Sequence, residues 1–414
     1  MKKFFFCFFC ILLFNSITIK PLSKTTDTDS LITSIISHMD SDSIRYVIQN
    51  LQDFQTRFLL TPNRFDAANW VENRFHEIGI TDVGRDSFMC HTTYMIDTTT
   101  LQINIVGTVT GTTRPEEVYI VGGHYDCFAY GNPFITAPGA DDNASGTATA
   151  LEFARALIAS GYQPEATIKF IAFAAEELMN FGDSGSKHYA QKAKADSMDI
   201  RLMINCDMIS YTQEPLSQSR VHINYYTGYE SLRDFAIETS QQFSSIIVLP
   251  GGLNHSSDSF PFYQQGFPAI YFEEDDFSPF YHSTADTIGN YDMDFCREVI
   301  KSAGATLLKY MIQNPTNNVK EGINILPEYA VLFQNYPNPF NPVTSIQYVT
   351  GKKQFVSLRV YDILGKEVAT LVNEERLPGN YQVNFNAASL PSGIYFYKIQ
   401  AGSFIDVKKM ILLK

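Results

Sequence analysis

His124 and Asp126 stand two residues apart at the end of an apolar run, Val118–Val121, that passes through Gly122-Gly123. On a continuing strand, residues two apart face the same side. A carboxylate beside an imidazole takes one ring N–H and leaves the other nitrogen free to hold a metal ion. Further along, GADDNASG (139–146) puts Asp141 and Asp142 at the mouth of a helical pattern, adding negative charge where a divalent cation can sit. The same event then recurs. The apolar run Thr167–Phe173 leads to Glu176-Glu177, and Leu202–Asn205 leads to Cys206-Asp207. Tyr281-His282-Ser283-Thr284 adds a second histidine in a polar, turn-rich stretch. Histidine mixed with carboxylates suits zinc better than magnesium or calcium, which prefer all-oxygen shells. Two histidines, a shared carboxylate and two further carboxylates suffice for two zinc ions bridged by a water.

Each piece alone says little. A His-x-Asp at a strand end is more often a surface pair, adjacent glutamates are usually a solvated face, and Asp141-Asp142 could simply cap the helix that follows. The weight lies in their order, because a core seldom sets five potential ligands at successive strand ends by chance.

The elements that must position these residues alternate. Residues 27–85 show helical periodicity, with Ile44, Val47, Ile48 and Leu51 on one face and Ala67, Ala68, Val71 and Phe75 on another, closed by Gly79. Residues 101–109 and 117–123 change to the β-branched pattern of strands. A helix is expected over 145–160, then strands at 167–173, 202–205, 221–226, 245–249 and 269–272, with helices around 232–243 and 294–313. Strands alternating with helices indicate a largely parallel sheet covered on both faces, whose ligand sites lie beyond the carboxyl ends of its strands. Residues 314–326 are polar and read as a linker. From 327 to 414 there are only short strand-like runs between turns, which is the pattern of a small all-β, Ig-like sandwich.

Composition sets the outer bounds. The chain has 414 residues, 45% hydrophobic and 14% aromatic, enough for more than one domain. A formal charge of −13 without a basic stripe excludes nucleic acid as a partner. Residues 1–19, KK followed by FFFCFFCILLF, read as a secretory signal, being too short for a comfortable membrane span. Cys90, Cys127, Cys206 and Cys296 remain beyond it; a domain of this size does not need disulfides, and sequence leaves their pairing open.

Taken in order, HYD, GADDNASG, AAEE, NCDMI and YHSTADT resemble the secreted two-zinc aminopeptidases of the leucyl-aminopeptidase-like branch of metallopeptidase clan MH, over roughly residues 27–313. That resemblance implies a three-layer α/β/α zinc-exopeptidase fold with a mostly parallel mixed sheet. It further implies two Zn2+ ions, one held by His124 and Asp207 and the other by Glu177 and His282. Asp141 would bridge them through a cis Asp141–Asp142 peptide, Glu176 would be the general base, and Asp126 would orient His124. Substrates would be peptides or proteins with a free N-terminus, and a monomer is expected. Asp258 sits in Ser-Ser-Asp-Ser-Phe-Pro where relatives often carry Ser-Asp-His, and Ser259 replaces that histidine. The competing readings are a single-zinc glutaminyl cyclase of the same fold, and a non-catalytic binding ectodomain. Residues 327–414, with LFQNYPNPFNPVTSIQY, VYDILGKEVATLV, PSGIYFYKIQAG and KKMILLK, resemble the sorting domain of type IX secretion. That implies export through the periplasm and outer membrane to the cell surface or medium, with the secretion machinery as a partner.

Overall fold

The computed structural model describes residues 24–315 except 95, and 330–413 except 333, 334, 336, 337, 351, 378 and 403. The expected signal (1–19) and most of the expected linker (314–326) lie outside the described residues.

Three helices come first: α1 (Lys24–Ile36), α2 (Ser41–Gln52) and α3 (Asn63–Ile78). Asp40 caps α2 by accepting from Ser43 N, and the apolar stripe Ile44, Val47, Ile48, Leu51 is buried. Gly79, at φ 105°, ends α3 in the left-handed conformation that glycine adopts without strain. The expected helical stretch therefore stops there, and residues 82–85 belong to a strand.

Eight strands form the main sheet in the order β1-β2-β4-β3-β5-β8-β6-β7. They are β1 (Asp82–Thr92), β2 (Thr98–Val109), β3 (Arg114–His124), β4 (Ala166–Phe173), β5 (Asp199–Cys206), β6 (Arg220–Tyr225), β7 (Ile247–Leu253) and β8 (Ala269–Glu274). Neighbours β4, β3, β5 and β8 run parallel. β1, β2 and the β6 side of β8 pair antiparallel, so the sheet is mixed with a parallel centre. From Val118 to His124 every residue of β3 is buried, as a strand with helices on both faces requires. Here α4 (Gly146–Ser160), α3 and α8 (Met293–Gln313) pack on one face, and α5 (Gly185–Ala195) and α7 (Ser259–Gln264) on the other. α6 (Glu230–Phe243) packs on β6, β7 and α8, and α1 and α2 pack on α4 and α8.

The chain leaves β3 for β4 on one side and then reaches β5 on the other. This reversal opens a crevice at the carboxyl ends of the three strands, the usual ligand position in open α/β sheets. The first turn of α4 closes the floor of that crevice: a Cβ at Gly146 would stand 2.0 Å from Cys206 O, so only glycine lets helix and strand end meet.

The C-terminal part is all β. Strands β9 (Val331–Leu332), β10 (Val343–Thr350) and β13 (Gly379–Asn386) form one sheet. β12 (Glu367–Arg376), β11 (Gln354–Tyr361), β14 (Gly393–Ala401) and β15 (Phe404–Leu412) form the other. Ile346 and Tyr348 from the first sheet share a separate buried core with Val356, Leu358, Tyr397 and Ile399 from the second, which makes a sandwich with its own interior.

Candidate metal centre

β3 delivers His124 at its last residue. Thr147 in the first turn of α4 donates to His124 O at 2.7 Å, and Asp126 O lies 3.2 Å from His124 Nδ1. This leaves His124 Nε2, buried and without a hydrogen-bond partner, aimed into the crevice. Three carboxylates surround it: Asp142 Oδ1 at 3.5 Å, Asp207 Oδ1 at 3.5 Å and Glu176 Oε2 at 3.6 Å.

His282, on the loop after β8, supplies the second nitrogen. Its Nε2 lies 2.8 Å from Glu177 Oε2 and 3.1 Å from Asp142 Oδ2. Asp142 thus presents one oxygen to each histidine. Asp141, expected to bridge, faces away: its Oδ1 accepts from Ser210 N at 2.9 Å and Ser210 Oγ at 2.6 Å. The cis peptide is likewise one residue later, at Asp142–Asn143. Consecutive side chains on this irregular turn point to opposite sides, and Ser210 takes the first of them.

Supporting contacts fix these groups. The Asp126 carboxylate accepts from Glu176 N at 3.0 Å and Glu177 N at 3.2 Å, while its nearest approach to His124 Nδ1 is 3.5 Å. It therefore holds the backbone of both glutamates as well as flanking the imidazole. Ser257 Oγ donates to Asp207 Oδ2 at 2.6 Å, and Asp286 accepts from Asp141 N at 2.9 Å and Asp142 N at 3.2 Å. Arg57 is fully buried and donates to four carbonyls: Tyr125 at 2.6 Å, Leu51 at 2.9 Å, Pro138 at 2.7 Å and Gly139 at 2.8 Å. One guanidinium thus ties together the chain after His124 and the turn before Asp142. Ser257, Asp286 and Arg57 were not singled out from sequence. The one available signal was Arg57 itself, a cation set among Phe54, Phe58 and Leu59.

Ala175, Met208 and His282, each at or beside one of these groups, have φ of 60°, 55° and 50°. Non-glycine residues adopt such values at a cost, and they concentrate where geometry is dictated by function.

The charge balance points the same way. Burial, with Asp142 nearby, pushes the Glu177 carboxyl up to about 8. Burial also drives Glu176 well above the ordinary carboxylate range. Burial opposes charging of His282, yet Glu177 and Asp142 lift it to about 11. Burial disfavours His124 too, and Glu176 with Asp207 more than reverse this. Burial alone would raise Asp258, which reaches about 7 with His124 restraining it. A pocket so acidic holds protons or cations.

The residues present fit zinc. Two donors about 2.0–2.2 Å from one tetrahedral ion lie about 3.3–3.6 Å apart. The spacings around His124 Nε2 match that value, and the unpartnered nitrogen is the donor such an ion needs. Glu177 Oε1 is also buried without a partner. His124, Asp142 and Glu177 form one group able to hold an ion; His124, Glu176 and Asp207 form another. Phe262 and Phe272 are core residues, whereas Phe277 and Tyr281 are exposed. All four described cysteines are buried free thiols.

Comparison with known proteins agrees. Residues 104–307 match Peptidase family M28, and residues 334–413 match the Secretion system C-terminal sorting domain, which directs export by type IX secretion to the cell surface or outside. A probable leucine aminopeptidase of Trichophyton verrucosum is 28% identical over 70% of this chain and 79% of its own length. A probable zinc metalloprotease of Pyrenophora teres is 34% identical over 44% of this chain and 41% of its own. Among solved structures, a leucine aminopeptidase precursor from Bacteroides thetaiotaomicron superposes with TM-score 0.55 at 19% identity, covering 67% of this chain and 98% of that one. A glutaminyl cyclase from the same organism, bound to N-acetylhistamine, gives 0.54 at 19% identity, covering 67% and 99%. At such identities the two structures establish the fold they share.

Proposed function

From the premise that this is an exported peptidase with an M28 domain, we propose that it is a zinc aminopeptidase with two metal sites sharing Asp142. The observation that carries the reading is the orientation of Asp142, whose two oxygens face the two histidines. His124 and Asp207 would complete one site, and His282 and Glu177 the other. Zinc bound there supplies a water of lowered pKa and polarises the scissile carbonyl.

The protein's own groups do the rest. Glu176 approaches His124 Nε2 at 3.6 Å and has its backbone fixed by Asp126. In this reading Glu176 is not a ligand but the group that takes a proton from water and returns it to the departing amine. Burial raises its proton affinity, which suits taking the proton from water. The free α-ammonium of a substrate gains from the surrounding carboxylates, and a blocked N-terminus does not. Arg57, Asp126 and Asp286 position the loops without reaching the crevice.

A single-zinc glutaminyl cyclase is the second reading, because a solved protein of that kind has this fold. It needs one ligand set and leaves the other as uncompensated acids. Metal counting with Glu176→Gln decides between the two. The expected result is two zinc ions per chain in both proteins, release of N-terminal residues only from unblocked peptides, and a loss of about 10²–10⁴ in turnover for the variant. One zinc per chain together with cyclisation of N-terminal glutamine would overturn the proposal.

A further inference from the structure

Large apolar side chains stand exposed beside His282: Tyr130, Phe134 and Ile135 on the loop after β3, and Phe277 and Tyr281 on the loop after β8. They form a connected rim. Phe134 meets Phe58 at 5.2 Å between ring centroids, Phe58 meets Phe128 at 5.8 Å, and Phe128 meets Tyr130 at 5.4 Å and His282 at 5.0 Å. On the other side Tyr281 stacks on His282 at 3.8 Å and Phe277 meets Tyr281 at 5.0 Å.

The first loop is tied down along its length. Tyr130 N donates to His282 O at 2.8 Å, Thr56 Oγ to Pro133 O at 2.7 Å, and Ala137 N to Gln55 O at 2.8 Å. Ile135 N and Thr136 N both donate to Asn132 O, at 3.1 and 3.2 Å. A loop so fastened nonetheless leaves Tyr130 at 69%, Phe134 at 47% and Ile135 at 63% exposure, where none of the three gains what burial would provide. Exposed apolar side chains gathered on two loops and joined through the buried rings of Phe58 and Phe128, beside a site, mark a surface that something covers.

We propose that this rim binds apolar side chains of the polypeptide on the leaving side of the scissile bond, so that the preferred substrates are peptides with apolar residues in the second and third positions. The inference rests on the aminopeptidase reading. An aminopeptidase accepts one residue on the amino side of the bond, and that residue enters the buried centre. Everything after the bond runs outward across the mouth, where the exposed side chains are. Uncharged aromatic and aliphatic surfaces favour apolar partners there and give no compensation to a charged one.

The test uses the full chain, zinc-loaded, and the double variant Phe134→Ser/Ile135→Ser. Both residues are exposed, and the rings that touch His282 are left in place. Three substrates share an N-terminal leucine: leucine amide, Leu-Gly-Gly and Leu-Phe-Phe. The wild type should favour Leu-Phe-Phe, and the variant should lose about tenfold in kcat/KM on that peptide, mainly through KM, with the other two nearly unchanged. Equal kcat/KM of the wild type for the two tripeptides, or an equal loss on all three substrates in the variant, would overturn the rim. Failure of the wild type to release leucine from any of them would sink the aminopeptidase reading, and the rim proposal with it.

Discussion

Replacing Arg57 with methionine removes the buried cation that holds both loops of the centre, and its cost can be worked from the contacts. Removing a buried charge is not always destabilising, since apolar replacements of buried ion pairs are often neutral or better. Here the partners are main-chain carbonyls, which no side-chain substitution can take away. Leu51 O keeps a bond from Asp53 N, and Gly139 O keeps one from Ala144 N at 3.1 Å. Tyr125 O and Pro138 O have Arg57 as their donor, at 2.6 and 2.7 Å. Two stripped carbonyls cost about 1–3 kcal/mol each, so about 4 kcal/mol in the middle of the range. Methionine fills much of the vacated volume, which keeps the cavity contribution small. At about 2–4 °C per kcal/mol for a domain of this size, the midpoint of unfolding should fall by about 8–16 °C. Zinc affinity should fall about 10–100-fold as the loops lose their anchor. Arg57→Lys should lie between, because a single ammonium cannot span donors directed to four carbonyls. Thermal scans of zinc-loaded and chelated protein, with a competitive zinc titration, measure both quantities. A methionine variant melting within about 2 °C of wild type, with unchanged zinc affinity, would refute the clamp.

The adjacent aspartates should separate cleanly. Asp142→Asn should lower zinc content, whereas Asp141→Asn should keep both ions and lose about 1–2 kcal/mol through its weakened bonds to Ser210, as seen by metal analysis and denaturation. Chelated protein should also lose stability as pH rises from about 4 to 8. Burial raises Asp141 and Asp258 to about 7 and Glu177 to about 8, so the folded state keeps protons that the unfolded chain has shed. His282, lifted to about 11 against its burial, works in the same direction: its contribution is full below about 6.5 and fades as pH climbs toward 11. Zinc replaces the protons on Glu177 and His282, so the loaded protein should show a flatter profile. Parallel curves for loaded and chelated protein would remove the site from the explanation.

What sequence could show was set by how local each cause is. The parallel centre was legible because strands buried on both faces are mostly apolar, so the acid or histidine that follows such a run marks its carboxyl end; β3, β4 and β5 show this at His124, Glu176 and Asp207. β1 was not legible. Only one of its faces is buried, and it carries Gly84, Arg85 and Asp86, with Asp86 made tolerable by Lys192 at 2.8 Å and Asn104 at 3.1 Å from distant segments. The choice between Asp141 and Asp142 fails for the same reason in sharper form. Two identical neighbours on an irregular turn have equal intrinsic claims to a bridging position. What separates them is a set of donors elsewhere in the chain. The N–H and hydroxyl of Ser210 need an acceptor in a buried place, and Asp141 is the carboxylate that meets them. Were the turn shifted by one residue, Ser210 would lose that acceptor, and Asp286, which receives both amides of the pair, would be out of register with them. The metal-facing residue is therefore selected by hydrogen bonds made on the side of the turn away from the metal, and those bonds come from residues that the local motif does not contain.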